Sequence, residues 1–351
     1  MTTAKKIKIS KTSQLLTRDA FREAVFTRDE QLCVMCKSVA VDAHHIMERR
    51  LWSDGGYYVE NGASLCSNHH LMAESTSIPT DLIREKAGIT KILLPPHLYE
   101  DETYDKWGNI ILPNGKRLRG ELFFDPSVQI ALTRGDMLRF FTTYVKHPRT
   151  YHLPWSLGTT KDDKILQDTS YFEGKEVVVT VKYDGEQTTM YNDHIHARSI
   201  DSQSHPTQDY VRGLHGRIKR DIPEGWRVCG ENLFAKHSIH YKNLRTYFMV
   251  HSIWSALNIC LSWDNTLFWA ELFGLDVVPL LYKGVWDTAV IASLYKETYA
   301  EEDCEGYVVR LASEFPYKDF PKAVGKYVRE GHVTSASHWK HNRIVKNLLK
   351  G

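Results

Sequence analysis

Lys182 stands near the end of Glu176–Glu186, written EVVVTVKYDGE. There Val177, Val178, Val179 and Val181 form a β-branched run that reads as a buried strand, and Tyr183-Asp184-Gly185 as a sharp turn. A lysine fixed at the end of a rigid strand beside Asp-Gly suits a nucleophile presented to a phosphate. An amine attacks only when neutral, so burial or neighbouring cations must lower its pKa. A solvated lysine beside an ordinary turn fits the same letters. A second chemistry lies nearer the N-terminus. Cys33-x-x-Cys36 and Cys66-x-x-His69 offer soft and imidazole ligands in paired knuckles, the set that tetrahedral zinc requires. A core of reduced thiols is the alternative.

Elements of ordinary soluble protein must position these groups. The chain has 351 residues, enough for two domains and a small third, with 25% charged and 42% hydrophobic residues. Net charge is only +2, so overall charge does not announce a nucleic-acid partner. Local charge is uneven: Lys5, Lys6, Lys8 and Lys11 form a basic arm, and Lys340, Arg343, Lys346 and Lys350 a basic tail, either suited to phosphates or to solubility. No run is long enough to span a membrane and the N-terminus has no apolar signal core, which points to a cytoplasmic protein. Cys229, Cys260 and Cys304 are scattered, so a disulfide framework is not expected.

Thr17 is placed to cap a helix from Arg18 to about Arg28, with Phe21, Ala24 and Val25 on its inner face. Residues 91–150 read as a connector or small accessory region without recognisable chemistry. In it Ile110-Ile111-Leu112 approaches a hairpin at Pro113-Asn114-Gly115, and 127–144 has partial helical periodicity. From Tyr151 onward strands dominate. Residues 187–191 and 194–200 continue a hairpin from Lys182, followed by strands at 227–234, 246–254 and 306–311.

Between the cysteine pairs lie His44-His45 and Glu60-Asn61-Gly62, and His70 directly follows His69. From about Cys33 to His70 this resembles the HNH endonuclease family, whose ββα fold holds one catalytic metal. The resemblance implies His44 and His70 as metal ligands, His45 as the general base that activates water, and Asn61 as the residue that orients this base and braces its loop. The alternative is a module that keeps the zinc fold and only binds nucleic acid.

From about Tyr151 to Trp339 the order of motifs resembles the covalent nucleotidyltransferases, the ATP-dependent ligases and capping enzymes, and is most similar to the RNA ligases. Lys182-Tyr183-Asp184-Gly185 matches the nucleophile motif. Arg198 matches an arginine that engages the end to be joined, and Glu231 the acid of the nucleotide-sugar pocket. Phe248 matches the aromatic that stacks on adenine, Glu305 the glutamate that helps hold the metal, and Lys326 the lysine on the α-phosphate. The family's last motif usually has a second lysine two positions on. Here Val328 stands there, leaving Arg329 or Lys322 to supply the charge.

The resemblance implies an ATP-dependent ligase sealing 3′-hydroxyl and 5′-phosphate ends through a lysyl-AMP on Lys182, with Asp184 in the ATP pocket and Mg2+ or Mn2+ as cofactor beside Zn2+. The roughly 25 residues after Lys326 (326 to 351) leave no room for a C-terminal OB-fold. That favours RNA ends, with a DNA or RNA-to-DNA ligase whose HNH part only binds nucleic acid as the alternative. His332, Val333, Thr334, His338 and Trp339 near the C-terminus are placed to approach nucleic acid or to anchor the tail. No protein partner is deducible. The expected fold is α+β: an HNH-like zinc domain over 1–90, the connector over 91–150, and a nucleotidyltransferase domain of antiparallel sheets with flanking helices over 151–351.

Overall fold

A computed structural model describes residues 13–160, 163–201, 204–331 and 344–351. The expected basic arm, and the tail residues Lys340, Arg343, His332, Val333, Thr334, His338 and Trp339, lie outside them. The chain divides into two compact units, residues 1–145 and 146–351. The stretch 91–145, expected as a connector, therefore clusters with the first unit.

The first unit opens with α1 (Arg18–Arg28), whose N-cap Thr17 accepts a hydrogen bond from the Ala20 amide as its sequence implies. The strands β1 (Asp42–His45) and β2 (Gly62–Leu65) pair antiparallel, with His45 opposite Gly62, and α2 (Ser67–Glu74) follows at once. Phe21 and Val25 of α1 cover the hairpin so closely that a Cβ at Gly62 would lie 2.4 Å from the Val25 side chain. Next come α3 (Thr80–Lys86), the small sheet of β3 (Thr103–Tyr104), β4 (Ile110–Ile111) and β5 (Arg117–Leu118), and α4 (Pro126–Arg134). The helix expected over 127–144 is thus much shorter: Asp125 caps it and Gly135 ends it.

In the second unit the strands are β6 (Tyr151–His152), β7 (Glu176–Lys182), β8 (Glu186–Met190), β9 (Ile195–Ala197), β10 (Arg227–Asn232), β11 (Phe248–Trp254), β12 (Ile259–Cys260), β13 (Leu280–Val285), β14 (Thr298–Tyr299), β15 (Glu302–Asp303), β16 (Gly306–Leu311), β17 (Phe315–Pro316) and β18 (Val324–Val328). The helices are α5 (Asp209–Ile218), α6 (Trp263–Leu272), α7 (Thr288–Ala292) and α8 (Phe320–Ala323). One sheet runs β13-β7-β16-β18-β6 and the other β17-β12-β11-β10-β8-β9. Only the β6–β18 pair in these sheets is parallel among the described residues.

The valine run of β7 works because both its faces are covered. Val178 packs with Leu233, Met249 and Trp263 on the side of the other sheet. Val177 and Val179 pack on the opposite side with Phe172, Trp286 and Ile291, where the Phe172 and Trp286 rings stack at 4.6 Å. Each buried valine stabilises by about 1.5–3 kcal/mol. The outer face of the larger sheet is sealed by α5 and α6 through Val211, Leu214, Ile218, Ala270 and Phe273.

One expectation fails instructively. Strands β8 and β9 do form a hairpin, but β8 does not pair with β7. Instead Tyr183-Asp184-Gly185 carries the chain from one sheet to the other. A strand buried on both faces in one sheet and a following strand with its own partners in another leave the turn between them spanning the cleft. Lys182 consequently ends its strand at the junction of the two sheets.

The same junction constrains Gly306, which pairs with Lys182 on one side and Val328 on the other. A Cβ there would stand 1.9 Å from the Tyr327 carbonyl oxygen. Gly306→Ala should force β16 from β18 and cost about 3 kcal/mol in urea denaturation; unchanged stability would contradict this close approach.

Candidate functional sites

In the second unit, the turn after β7 brings a set of charged groups around Lys182. Its Nζ forms an ion pair with Oε2 of Glu305, which precedes Gly306 and is buried. The Arg329 amide donates to the Glu305 carbonyl at 3.0 Å, fixing this residue at the mouth of the sheet. Glu231 reaches in from β10 and accepts from the Gly185 amide. That approach needs glycine: a Cβ at Gly185 would be 2.6 Å from the Asn232 carbonyl oxygen. Asp184 turns the other way. Its Oδ2 accepts from the amides of Ser238 and Ile239 at 2.7 and 2.8 Å, and its own amide donates to the Tyr241 hydroxyl at 2.9 Å. The aspartate of the motif thus ties down the loop after β10, and its charge still reaches Lys182.

Lys326 lies on β18 opposite Val308 and on the same strand face as Val328. Arg198, exposed just past β9, is close enough that its charge acts on Lys326. Burial and the Lys182 ammonium lower the Lys326 pKa, Asp163 and Glu305 oppose this, and Arg198 adds to it. Asp163, which sequence reasoning passed over, is 3.7 Å from Lys326 Nζ.

Two expectations need correction. Burial pulls the Lys182 pKa down, as a nucleophile requires, but Glu305, Glu231 and Asp184 outweigh it, and the net shift is upward. In this arrangement Lys182 is an ammonium ion. Phe248, expected as the adenine platform, is only 1% exposed and packs with Met190, Val250 and Phe273. Its ring lies against Gly230, and pairing of Glu231 with Met249 puts Phe248 on the sheet face opposite Glu231. The structure does not bring Phe248 to the charged group.

The missing second lysine also has a local reason. Val328 is 4% exposed, and a Cβ on Gly158 would stand 2.8 Å from it, so an apolar residue fills a closed space. Of the suggested substitutes, Lys322 is paired with Asp319 at 3.1 Å and lies over the Tyr171 ring. Arg329 lines a cavity with Tyr295 and Tyr327 and, one residue past Val328, points away from the Lys326 face.

In the first unit, ligand atoms of Cys33, Cys36, Cys66 and His69 lie within 4.8 Å of one another. The Cys33 amide donates to the Ser38 carbonyl at 2.7 Å and the Lys37 amide to that of Cys33 at 2.8 Å, with Lys37 at φ +61°, which closes the first knuckle. Cys66 immediately precedes α2, where the His69 amide pushes its thiol down to about 6. Three sulfurs and an imidazole nitrogen at this spacing fit zinc.

Beside it, His44, His70 and Glu74 form a second cluster within 4.8 Å. Oε1 of Glu74 is 3.4 Å from His44 Nδ1 and 3.3 Å from His70 Nε2, which also lies 3.3 Å from Asp42. Glu74 was not anticipated, although His70-x-x-x-Glu74 places both on one face of α2. Lys106, from the stretch without recognisable chemistry, reaches the same carboxylate at 3.0 Å and donates to the His45 carbonyl at 3.0 Å. His45 stacks on Phe21 at 4.6 Å, and burial, then the Lys106 charge, push its pKa down to about 4. It is therefore neutral at pH 7, and its buried Nε2 has no hydrogen-bond partner among the described residues. Asn61 braces the loop past His45: its side chain accepts from the Met47 amide and donates to the Met47 and Gly56 carbonyls.

Glu231 offers a pH test of the second unit. Burial pushes its carboxyl up to about 8, with Lys182 opposing and Glu305 and Asp184 reinforcing the shift. An unfolded glutamate loses its proton near about 4.3, so folding binds a proton between these values and stability falls as pH rises through them. The melting temperature of Glu231→Gln should therefore gain several degrees on the parent between about pH 5 and pH 8. A difference that stays flat with pH would contradict the assignment.

No curated protein matches the chain. Among solved structures it is similar to an apo mutant of the Naegleria gruberi RNA ligase, at 16% identity and TM-score 0.38, over 54% of this chain and 56% of that one. Another mutant of that ligase, with ATP and Mn, gives 16% and 0.36 over 54% and 57%. An archaeal ATP-dependent RNA ligase gives 14% and 0.36 over 53% and 48%. The chain spans about half the length of these structures. The family model described as RNA ligase matches residues 175–328, from just before β7 to the last residue of β18, the segment that carries Lys182, Glu231, Glu305 and Lys326.

Proposed function

We propose that the chain is an ATP-dependent ligase that joins 3′-hydroxyl and 5′-phosphate RNA ends through a lysyl-AMP on Lys182. The observation that carries this reading is the convergence of Lys182, Glu231, Glu305 and the Lys326 charge at one sheet junction inside the matched domain. Lys182 Nζ attacks the α-phosphorus of ATP; a P–N bond forms, and the bond to the pyrophosphate oxygen breaks. AMP then passes to the 5′-phosphate, and the 3′-hydroxyl displaces it. Glu305 would hold a divalent cation, which would supply charge neutralisation on the transferring phosphoryl group. Drawing Glu305 away from Lys182 also removes the first of the attractions that keep the amine protonated, and burial then favours the neutral form. Lys326 and Arg198 stabilise phosphate charge, so positioning and electrostatics do most of the work.

With α-labelled ATP and magnesium, the parent should retain covalent label and Lys182→Ala none. Label on the alanine variant would refute the nucleophile. A chase with 5′-phosphorylated RNA and DNA nicks should move AMP to RNA. Transfer to DNA alone supports the DNA or hybrid alternative, and transfer to neither points to a protein or small-molecule acceptor.

A second activity is proposed for the first unit: metal-dependent cleavage of nucleic acid by an HNH module built on structural zinc. The His44, His70 and Glu74 cluster beside a neutral His45 supports it. Those three residues would hold the metal and His45 would take the proton of water. The purified protein should contain about one zinc per chain that Cys66→Ser loses. His45→Ala should abolish cutting while leaving enzyme–AMP formation intact. A parent that never cuts would reduce the unit to a binding module.

A further inference from the structure

The residues that hold Lys326 in place come from outside the matched RNA ligase segment. Strand β6 runs parallel to β18 with His152 opposite Lys326, and the Leu153 amide donates to the Lys326 carbonyl at 2.7 Å. Ser156 continues the contact, its Oγ accepting from the Val328 amide at 2.9 Å. The same hydroxyl lies 2.8 Å from His152 Nδ1. That hydroxyl also donates to the Val328 carbonyl at 3.4 Å, and the other ring nitrogen of His152 is Nε2. That nitrogen faces Oδ1 of Asp163 at 3.4 Å, and Oδ1 in turn faces Lys326 Nζ at 3.7 Å. The other carboxylate oxygen is held by the amide and hydroxyl of Thr160, both at 2.9 Å.

Asp163 is thus oriented from both ends. Thr160 fixes one oxygen by two hydrogen bonds, and the other lies within 4 Å of both a buried imidazole nitrogen and the lysine ammonium. Lys326 has a long flexible side chain and meets the like charges of Lys182 and Arg198, which the carboxylates of Asp163 and Glu305 oppose. Asp163, at 3.7 Å, is the carboxylate paired with this ammonium and opposes its repulsion from Lys182. We propose that Asp163, oriented by His152 and Thr160, is a positioning residue that sets the place of the Lys326 ammonium for adenylyl transfer to Lys182. The inference rests on the lysyl-AMP reading and adds a device to it. The segment ahead of the ligase domain completes the site by gripping its last strand.

The test is the single-turnover rate of enzyme–AMP formation with labelled ATP in the full chain, measured for Asp163→Asn, Asp163→Glu and His152→Gln. Asparagine keeps an oxygen for Thr160 and removes the charge. Asp163→Asn should slow the step about tenfold at saturating ATP with the apparent KM changed less than about twofold, and Asp163→Glu should recover part of the rate. In a Lys326→Arg background the same asparagine substitution should cost less than about twofold, because its effect acts through the lysine. Melting temperatures separate this from a folding defect, and His152→Gln, with a smaller loss of the same kind, serves if Asp163→Asn does not fold. A parent-like rate in Asp163→Asn, or losses that multiply in the Lys326→Arg background, overturns the inference while leaving the ligase reading intact. A parent that takes no label overturns both.

Discussion

The second unit depends on one ion pair, Lys182 with Glu305, made at the adjacent ends of two hydrogen-bonded strands. Neither group would be tolerated alone at such burial, since an uncompensated charge there costs several kcal/mol. Their meeting requires that β7 and β16 end in register and that the residue after Glu305 have no side chain, which Gly306 satisfies. The valines of β7 and the apolar residues of β16 supply the stability that lets the sheet hold two charges at its edge. Packing energy along the strand thus supports polar strain at its end.

The turn after Lys182 translates that local arrangement into a site. Because Tyr183-Asp184-Gly185 crosses between sheets, groups from β7, β10, β16 and β18 converge without any of them lying on a long loop. Asp184 makes the crossing rigid through two amides and the Tyr241 hydroxyl, while Gly185 lets Glu231 approach. A motif that reads as four consecutive letters therefore divides its labour: one residue to meet Glu305, one to hold a loop, one to make room.

Much of this was legible in the sequence, and the failures have physical causes. The Thr17 cap, the extent of α1 and the strand Gly306–Leu311 follow from local patterns, and the structure reproduces them. The paired knuckles of Cys33, Cys36, Cys66 and His69 also come together. The sheet switch after Lys182 was not legible, because a tight turn between apolar strands looks the same whether the strands pair or part. Phe248 carried the right residue type in the right order, but which face of β11 it occupies is set by pairing with β10. Lys106 and Asp163 were missed because each acts across a distance in sequence on a residue found by motif, whereas Glu74, one helical turn past His70, left a local pattern that the residue types alone did not flag. A carboxylate or lysine with no motif around it gives no signal until folding brings it to one that has.

The balance of charge around Lys182 explains why its proton is retained here. The cations Lys182, Lys326 and Arg198 face Glu305, Glu231, Asp163 and Asp184. Glu231, with its pKa near about 8, stays protonated at neutral pH, and the cations then match the remaining carboxylates. Among these seven described residues, the charges leave no surplus positive charge for a triphosphate. Position 328, where a further lysine would stand, is closed by valine against Gly158. On the proposed ligase reading, ATP would have to arrive with cationic charge of its own, and a divalent ion held at Glu305 would both accompany the phosphates and free the lysine from the carboxylate that keeps it protonated. On that reading, the ion pair on which the strand ends depend would also be what keeps the proposed nucleophile protonated until the cation arrives.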